Sequence, residues 1–393
     1  MSKTLIYDSS VSGHHLEYLH HFYERALELA SRERQFVFAV PESFVERSQK
    51  LLWQKNENIS FVYFAVPAKT GARWDSQNLS RLVREQGATD VLLSALMSFL
   101  PWLPFMLPRG VKVSGIVYMI YLYRWKKSGL KTKILDVLKY LLFRFSPCIG
   151  RVFLLNDKVV PRYLNKLYRT QKFAFLPDPV AIDAQSPAGE VRTELGVPAG
   201  ARLFSHFGGL DTRKGTLDIL EAVCAFPQVF RDDYFVFAGR VGKGLRERFY
   251  ALLETARAKG AHIIVKDEFV AYEFLKNLAA SSTAILIPYH NTEQSSGLIA
   301  YAAATGVPVI APRGGLLGKL VKRYRLGLFI EDLQAQKVLT APAGTAARAL
   351  AIASALAALD AGTVKRAKTL IRGNDYLRDN SLEEFQKIAI EEF

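Results

Sequence analysis

Residues 202–226, RLFSHFGGLDTRKGTLDILEAVCAF, pass from an apolar run through a glycine-containing loop into a helical pattern. The run over 202–207 predicts a buried strand, and the apolar spacing over 216–226 predicts a helix. Another strand is predicted at 234–238. Strand, loop, helix and strand in this order form the repeating unit of a parallel sheet with crossover helices. The stretch therefore indicates an α/β protein.

The same unit occurs along most of the chain. Near the N-terminus, an apolar run at 4–7 is followed by a polar loop, a helical stripe over 14–31 and a buried-type strand at 35–40. We therefore predict two doubly wound, Rossmann-like domains that face each other across a cleft. The further strands are predicted at 59–66, 91–93, 113–118, 152–155, 262–265, 284–288 and 308–311, and the further helices at 246–259, 272–280 and 297–305.

The length and composition agree with this fold class. A chain of 393 residues is too long for one ordinary core. The apolar fraction of 50% and the charged fraction of 23% exclude a disordered, collagen-like or coiled-coil chain. A domain boundary is predicted near Pro177–Pro179, before a stretch rich in Pro, Gly and Ala. Two cysteines form no disulfide framework, and the N-terminus has too few apolar residues for a signal peptide, so we expect a cytoplasmic protein.

The positive charge is concentrated in one segment. Residues 109–172 contain 15 basic residues against two acidic ones, a net charge of +13 out of +15 for the chain. Such a segment implies an anionic partner. Residues 118–145 mix Lys and Arg with Tyr, Trp and Leu, which favours docking on an anionic membrane surface, with a solvated helix face as the alternative. No RRM, KH or helix-turn-helix signature accompanies them, so we expect no nucleic-acid partner. The uncharged residues 91–107 are interrupted by two prolines and predict a buried strand with an apolar loop rather than a membrane span.

Two loops at predicted strand ends carry the candidate chemistry. In the first, Gly208 and Gly209 leave room for a ligand, and Arg213 and Lys214 provide two positive charges that suit phosphate oxygens. The second is EQSSGLIAYAAATGVPVI at 293–310, where small residues at a predicted helix start let an anion approach the backbone amides. Its carboxylate, Glu293, suits sugar hydroxyls. The alternative for Ser295 is that it only caps the helix.

FGGLDTRKG at 207–215, followed by EQSSGLIAYAAATGVPVIAPRGG at 293–315, resembles the retaining glycosyltransferases of family four (glycosyl transferases group 1), which have the GT-B fold. The resemblance implies an acceptor-binding domain over 1–178 and a nucleotide-sugar-binding domain over 179–372. It also implies that residues 373–393 form a helix that crosses back to the N-terminal domain. No metal or other cofactor is implied, and no zinc site is expected from the histidines between 14 and 21, because we found no Cys or carboxylate to complete one.

The resemblance also assigns roles to individual residues. Lys214 matches the phosphate-binding lysine, and Glu293 matches the first glutamate of a Glu-x7-Glu motif that contacts the donor sugar. Tyr301 stands where the family has the second glutamate, which normally holds the ribose. Gly209 stands where the family often has an arginine in the phosphate-binding stretch, and Arg213 or Arg240 is the expected substitute for that arginine. The remaining assignments are Gly13 and His14 beside the donor diphosphate and acceptor, Phe269 and Val270 at the base, and Ser296, Gly297 and Leu298 at the diphosphate.

The sequence thus predicts a retaining glycosyltransferase that moves a sugar, a hexose or a related one, from a nucleotide diphosphate sugar to a glycan or lipid-linked acceptor. We expect it to act in cell-surface polysaccharide synthesis, as a peripheral protein on the cytoplasmic face of the membrane. Arg213, Lys214 and Glu293 are its candidate catalytic residues. Two alternatives remain open: a sugar-nucleotide epimerase of the same fold, and a catalytically inactive, membrane-bound binding subunit.

Overall fold

Short apolar strands that alternate with helices form two separate parallel sheets. The computed structural model describes residues 2–10, 15–48, 56–179 and 191–392. The chain divides into two compact units: Met1–Pro179 together with Asn380–Phe393, and Val180–Asp379. Each unit contains one of the two sheets.

The first unit has a seven-stranded sheet in the order β3-β2-β1-β4-β5-β6-β7, with all neighbouring strands parallel. Leu5 and Tyr7 of β1 pack into one hydrophobic core, and Ile6 packs into another on the opposite face. Helices cover both faces, which explains why these strands are continuous apolar runs. The strands are β1 (Ser2–Tyr7), β2 (Arg34–Pro41), β3 (Ile59–Phe64), β4 (Asp90–Leu93), β5 (Lys112–Val117), β6 (Ile149–Leu155) and β7 (Phe173–Leu176).

The first six α-helices that the structure describes belong to this unit. They are α1 (His15–Leu29), α2 (Phe44–Ser48), α3 (Ala72–Gln86), α4 (Leu103–Met106), α5 (Leu130–Phe145) and α6 (Val160–Tyr168). The uncharged stretch 91–107 forms β4, a 3-10 turn and the short α4, as the buried-strand prediction requires. Among the described residues, no single helix has the length and apolar composition to cross a bilayer; α14 and α15, bounded below, pass that test only as a pair bent by 89°.

The second unit has a six-stranded sheet in the order β10-β9-β8-β11-β12-β13, again with parallel neighbours. Its strands are β8 (Arg202–Phe207), β9 (Asp233–Ala238), β10 (His262–Lys266), β11 (Ala284–Leu286), β12 (Val309–Ala311) and β13 (Gly327–Phe329). Its helices are α7 (Val191–Glu194), α8 (Thr216–Ala225), α9 (Arg246–Ala258), α10 (Tyr272–Ser281), α11 (Leu298–Thr305), α12 (Gly315–Tyr324), α13 (Ile330–Gln334), α14 (Ala347–Ala357), α15 (Ala361–Leu370) and α16 (Gly373–Asp379).

The final helix, α17 (Leu382–Glu391), belongs to the first unit and packs on α1. The ring of Phe385 stacks on Phe22 at 5.3 Å and contacts Tyr18 at 5.0 Å. The hydroxyl of Ser381 accepts from the amide of Glu384 at 3.3 Å and caps the first turn. These contacts attach the C-terminal segment to the N-terminal sheet.

Candidate functional site

The candidate site of the second unit lies at the centre of its sheet, where β8 is flanked by β9 and β11. From β8 the chain continues to β9 on one side, and from β11 it continues to β12 on the other side. Strand order therefore reverses between β8 and β11. Ligands of open parallel sheets bind beside such a point, at the carboxyl ends of the strands. The loops found there are residues 208–215 and 287–297.

The loop after β8 is a tight turn that places Lys214 over Gly208. Gly208 has a φ of +84°, and a Cβ atom there would lie 2.9 Å from the Lys214 ammonium nitrogen and 3.9 Å from the Leu298 Cδ1 atom. The carboxylate of Asp211 accepts from the amide of Lys214 at 2.8 Å. Gly215, with a φ of +74°, has no room for a side chain, because a Cβ would lie 2.3 Å from the Pro288 carbonyl oxygen. The turn is thus held against the end of β11.

Tyr289, three residues after the end of β11, connects the two loops. The Arg213 guanidinium carbon lies 5.6 Å, and the Lys214 nitrogen 6.0 Å, from the centroid of its ring. The Ser296 hydroxyl donates to its phenol oxygen at 3.0 Å. Arg213 and Lys214 are therefore neighbours of Ser296 around one aromatic ring, although Ser296 follows them by about 80 residues in the sequence.

The sequence predicts that the backbone amides of residues 296–298, at the start of α11, are open to a diphosphate, and the structure differs from this in one detail. The amide of Leu298 donates to the Ser296 hydroxyl at 3.3 Å, so Ser296 is a side chain that bonds to this helix start. Gly297 immediately precedes the helix, and Ser295 is half-buried. The amide of Glu293 donates to the Asn291 side chain at 2.9 Å, which shapes the loop that carries the carboxylate. The positive end of the helix dipole and the two cations thus make this corner attractive to an anion.

Asp218 on α8 is a residue that our sequence reasoning missed. Its Oδ2 atom lies 2.6 Å from the His290 Nε2 and 3.6 Å from the Arg348 Nε. The His290 amide donates to the Arg213 carbonyl at 2.8 Å, and Arg348 donates to the Pro288 carbonyl at 2.7 Å. One carboxylate therefore ties together the two loops that carry the candidate site. The partners lie 72 residues or more away in sequence, so no local pattern shows the connection.

His206, in the apolar strand β8, is a second residue that we missed. Its Nδ1 lies 2.8 Å from the Leu286 carbonyl and its Nε2 3.0 Å from the Thr216 hydroxyl, so it joins β8 to β11 and to the start of α8. The pKa of His206 is lowered from 6.5 to about 4, mainly by burial and also by the nearby Lys214, against the opposing effects of the Leu286 carbonyl and of Asp211. A polar residue in an apolar strand was the signal in the sequence.

The buried imidazole predicts acid-sensitive stability. Because the pKa of His206 is lower in the folded chain than in the unfolded one, its contribution to stability is complete above pH 6.5 and is lost as the pH falls towards 4. We expect a loss of about 3 kcal/mol in the free energy of unfolding over that interval. Urea unfolding of the wild type and of His206→Asn at pH 7.5 and 4 measures how much of the pH-dependent change in the free energy of unfolding comes from His206. Parallel pH profiles for the two proteins would contradict the prediction.

Arg240, the predicted substitute for the family's arginine, follows β9, and the residues predicted near the base, Phe269 and Val270, follow β10 at the same edge of the sheet. Arg240 is exposed, and Phe269 is exposed with 68% of its surface open to solvent, whereas Val270 is half-buried. The carboxylate of Asp267 accepts from the amide of Val241 at 2.8 Å and fixes the loop that contains Arg240. The exposed ring of Phe269 is a surface on which a base can stack. Contact with a base stays a prediction.

Tyr301 has a packing role. Only 7% of its surface is exposed, and its ring contacts Phe207 edge-on at 5.1 Å, in the first turns of α11. The ring thus fills the space between the helix and the end of β8. The predicted contact of its hydroxyl with a ribose stays a prediction.

The corresponding strand end of the first unit is only partly described, because Gly13 and His14 lie outside the described residues. Beside them, His15 Nδ1 lies 2.7 Å from the buried carboxylate of Asp8, at the end of β1. The ring of His15 faces that of Tyr118, which follows β5, at 6.0 Å. A histidine oriented by a buried carboxylate is an arrangement that can accept a proton.

One group of described side chains could hold a metal ion: His20, His21 and Glu24 on α1. Glu24 lies 3.6 Å from His20 Nδ1 and 3.3 Å from His21 Nδ1, as ion pairs one turn apart on a helix do. Our expectation that no carboxylate accompanies these histidines is therefore wrong. The group belongs to the first unit and lies outside the two loops described above.

Solved structures, among them two glycosyltransferases, are similar to this protein over almost its full length. Anabaena Alr3699/HepE in complex with UDP and glucose has a TM-score of 0.67 and 15% identity, over 100% of this chain and 99% of that one. WaaG, a glycosyltransferase involved in lipopolysaccharide biosynthesis, has a TM-score of 0.65 and 14% identity, over 98% of each chain. A glycosyltransferase from Rickettsia africae has a TM-score of 0.64 and 15% identity, over 99% of this chain and 97% of that one.

The chain has the GT-B fold. Its two Rossmann-like parallel sheets confirm the predicted fold class. No protein-family model matches the chain, and no curated protein is similar to it in sequence. At identities this low, the similarity to other GT-B proteins shows the fold, and the function must be argued from the site.

Proposed function

We propose that this GT-B protein is a glycosyltransferase that moves a sugar from a nucleotide diphosphate sugar to a glycan or lipid-linked acceptor. The observation that carries the proposal is the arrangement of Arg213, Lys214 and Ser296 around Tyr289, at the point where strand order reverses. Two of the solved structures with this fold support it, because they were determined with UDP and with UDP-glucose.

The chemistry of transfer requires positive charge at this corner. As the bond between the anomeric carbon and the phosphate oxygen breaks, negative charge grows on the departing nucleoside diphosphate. Arg213 and Lys214, together with the positive end of the α11 dipole, stabilise that charge. Glu293, at the tip of the second loop, accepts hydrogen bonds from hydroxyls of the donor sugar.

We propose retention of configuration, by a route in which the leaving phosphate takes the proton of the acceptor hydroxyl on the same face of the sugar. The alternative is inversion, in which a base of the protein takes the proton of the acceptor hydroxyl instead. NMR of the anomeric proton of the product distinguishes the two. The donor and product share one configuration if transfer is retaining, and they differ if it is inverting.

Incubation with a panel of UDP-, GDP- and dTDP-sugars tests the proposed activity. Release of nucleoside diphosphate that depends on an added acceptor supports transfer. Appearance of a changed sugar nucleotide without an acceptor instead identifies an epimerase, and binding without turnover identifies an inactive binding subunit. Cell-surface polysaccharide synthesis on the cytoplasmic face of the membrane is the setting that we propose. WaaG, which has the same fold and acts in lipopolysaccharide biosynthesis, supports that setting.

We also expect the reaction to need no metal ion, since Arg213 and Lys214 provide the two positive charges that a bridging cation would supply. Turnover should be unchanged when millimolar EDTA is added to the assay with the active donor. Recovery of lost activity by Mg²⁺ or Mn²⁺ would contradict this expectation.

A further inference from the structure

Helix α5 is attached to the first unit by one of its faces. Asp136, Tyr140 and Phe143 on that face are buried. Arg124 donates to the Asp136 carboxylate at 2.6 Å, and the ring of Tyr140 lies 4.5 Å from that of Tyr121. The orientation of the helix is therefore fixed by an ion pair and by aromatic packing.

The opposite face of α5 presents large apolar side chains to solvent. They are Leu130, Ile134, Leu135, Leu138 and Phe145, each between 49% and 75% exposed. Positions 130, 134, 138 and 145 lie on one side of an α-helix, since each residue advances by about 100°. A surface helix normally turns its apolar stripe towards the core, so an outward stripe of this size indicates a partner.

Basic residues accompany the outward stripe. Lys131 is exposed within it, and Lys139 and Arg144 lie beside it on the same helix. The Arg144 guanidinium carbon lies 5.2 Å from the centroid of the Phe145 ring, which keeps a positive charge next to an exposed aromatic side chain. The neighbouring helix α6 exposes Tyr163 between Arg162 and further basic residues. This surface lies within the segment of residues 109–172 that carries the net charge of +13.

We propose that the outward face of α5 docks this protein on an anionic lipid bilayer. The apolar side chains enter the boundary between headgroups and acyl chains, and the lysines and arginines contact the lipid phosphates. A second copy of the chain is a poor occupant, because two faces with the same strong positive charge repel each other. The inference goes beyond the proposed function, because it rests on α5 and not on the site of the second unit.

Sedimentation with vesicles of phosphatidylcholine alone, and of phosphatidylcholine with about 30% phosphatidylglycerol, tests the proposal. We expect the full chain to bind the anionic vesicles and to bind more weakly at high salt. The double variant Ile134→Ser/Leu138→Ser should lower vesicle partitioning by about tenfold or more, because two large side chains no longer enter the lipid. Lys131→Glu/Lys139→Glu should lower it by a similar factor through charge.

The matched control is Lys337→Glu/Val338→Ser, which changes an exposed lysine and an exposed apolar residue of the second unit. It should bind vesicles like the wild type. Circular dichroism and nucleotide titration of every variant show whether the fold and the proposed donor site persist. The proposal is overturned if the wild type binds neither vesicle. It is also overturned if light scattering shows a dimer that Ile134→Ser/Leu138→Ser dissociates, since the face then joins two copies of the chain.

Discussion

Replacing Lys214 by alanine is expected to lower kcat/KM for the nucleotide sugar by about 100- to 1,000-fold. The ammonium group lies over Gly208 and beside Tyr289, in a turn fixed by Asp211 and Gly215. It is therefore held in place before the ligand arrives, and its charge is most useful when the diphosphate departs. Without this ammonium group, the transition state loses stabilisation that a mobile surface lysine cannot supply. Initial rates of nucleoside diphosphate release, with the donor found active in the panel, measure the effect.

Lys243→Ala is the matched control for this variant, because Lys243 is an exposed lysine in the loop after β9, at the same edge of the sheet. If only the general positive potential matters, kcat/KM falls equally in both variants. If Lys214 makes a specific contact with the diphosphate, kcat/KM falls only in Lys214→Ala. If Lys214→Ala stays within about threefold of the wild type, the anion site is elsewhere and the proposed assignment fails.

The sequence predicts most of the fold because the buried strands are continuous apolar runs bounded by loops. The predicted strand at 35–40 and helix at 246–259 are observed as β2 and α9, within a residue or two of the expected ends. β7 and β13 were not predicted. They are strands because they pair with β6 and β12, and such pairing between separate segments is not visible in a local pattern.

The candidate site was predictable only in part, because local sequence patterns locate its loops but do not show the contacts between them. Strand ends and glycines locate the two loops, so Gly208, Lys214 and Ser296 could be chosen from the sequence. Contacts between distant residues fix how the loops fit together, and the Asp218–His290 pair does not follow from a local pattern. The sequence predicts docking by residues 118–145, whereas the burial of Asp136, Tyr140 and Phe143 shows which face of α5 is turned outward.

Replacing Glu293 by glutamine is expected to lower kcat/KM for the nucleotide sugar by about 100-fold, while the affinity for the bare nucleoside diphosphate changes by less than about twofold. Glutamine has nearly the same shape but no charge, and only one of its two terminal atoms accepts hydrogen bonds. The proposed contacts of Glu293 are with sugar hydroxyls, and those of Lys214 are with phosphate. Lys214→Ala should therefore weaken binding of the bare nucleoside diphosphate, whereas Glu293→Gln should not, even where the two variants have similar rates.

Glu268→Gln provides the control, since Glu268 is an exposed carboxylate after β10 at the same sheet edge. The second loop is also held by contacts of Thr292: the Leu317 amide donates to the Thr292 carbonyl at 3.1 Å, and that carbonyl lies where a Cβ on Gly315 would clash. A glutamine at 293 should therefore leave the loop in place. If Glu293→Gln instead weakens binding of the bare nucleotide as strongly as it lowers the rate, the carboxylate shapes the loop and does not bind the sugar. The donor-sugar contact would then have to come from another residue of the loop.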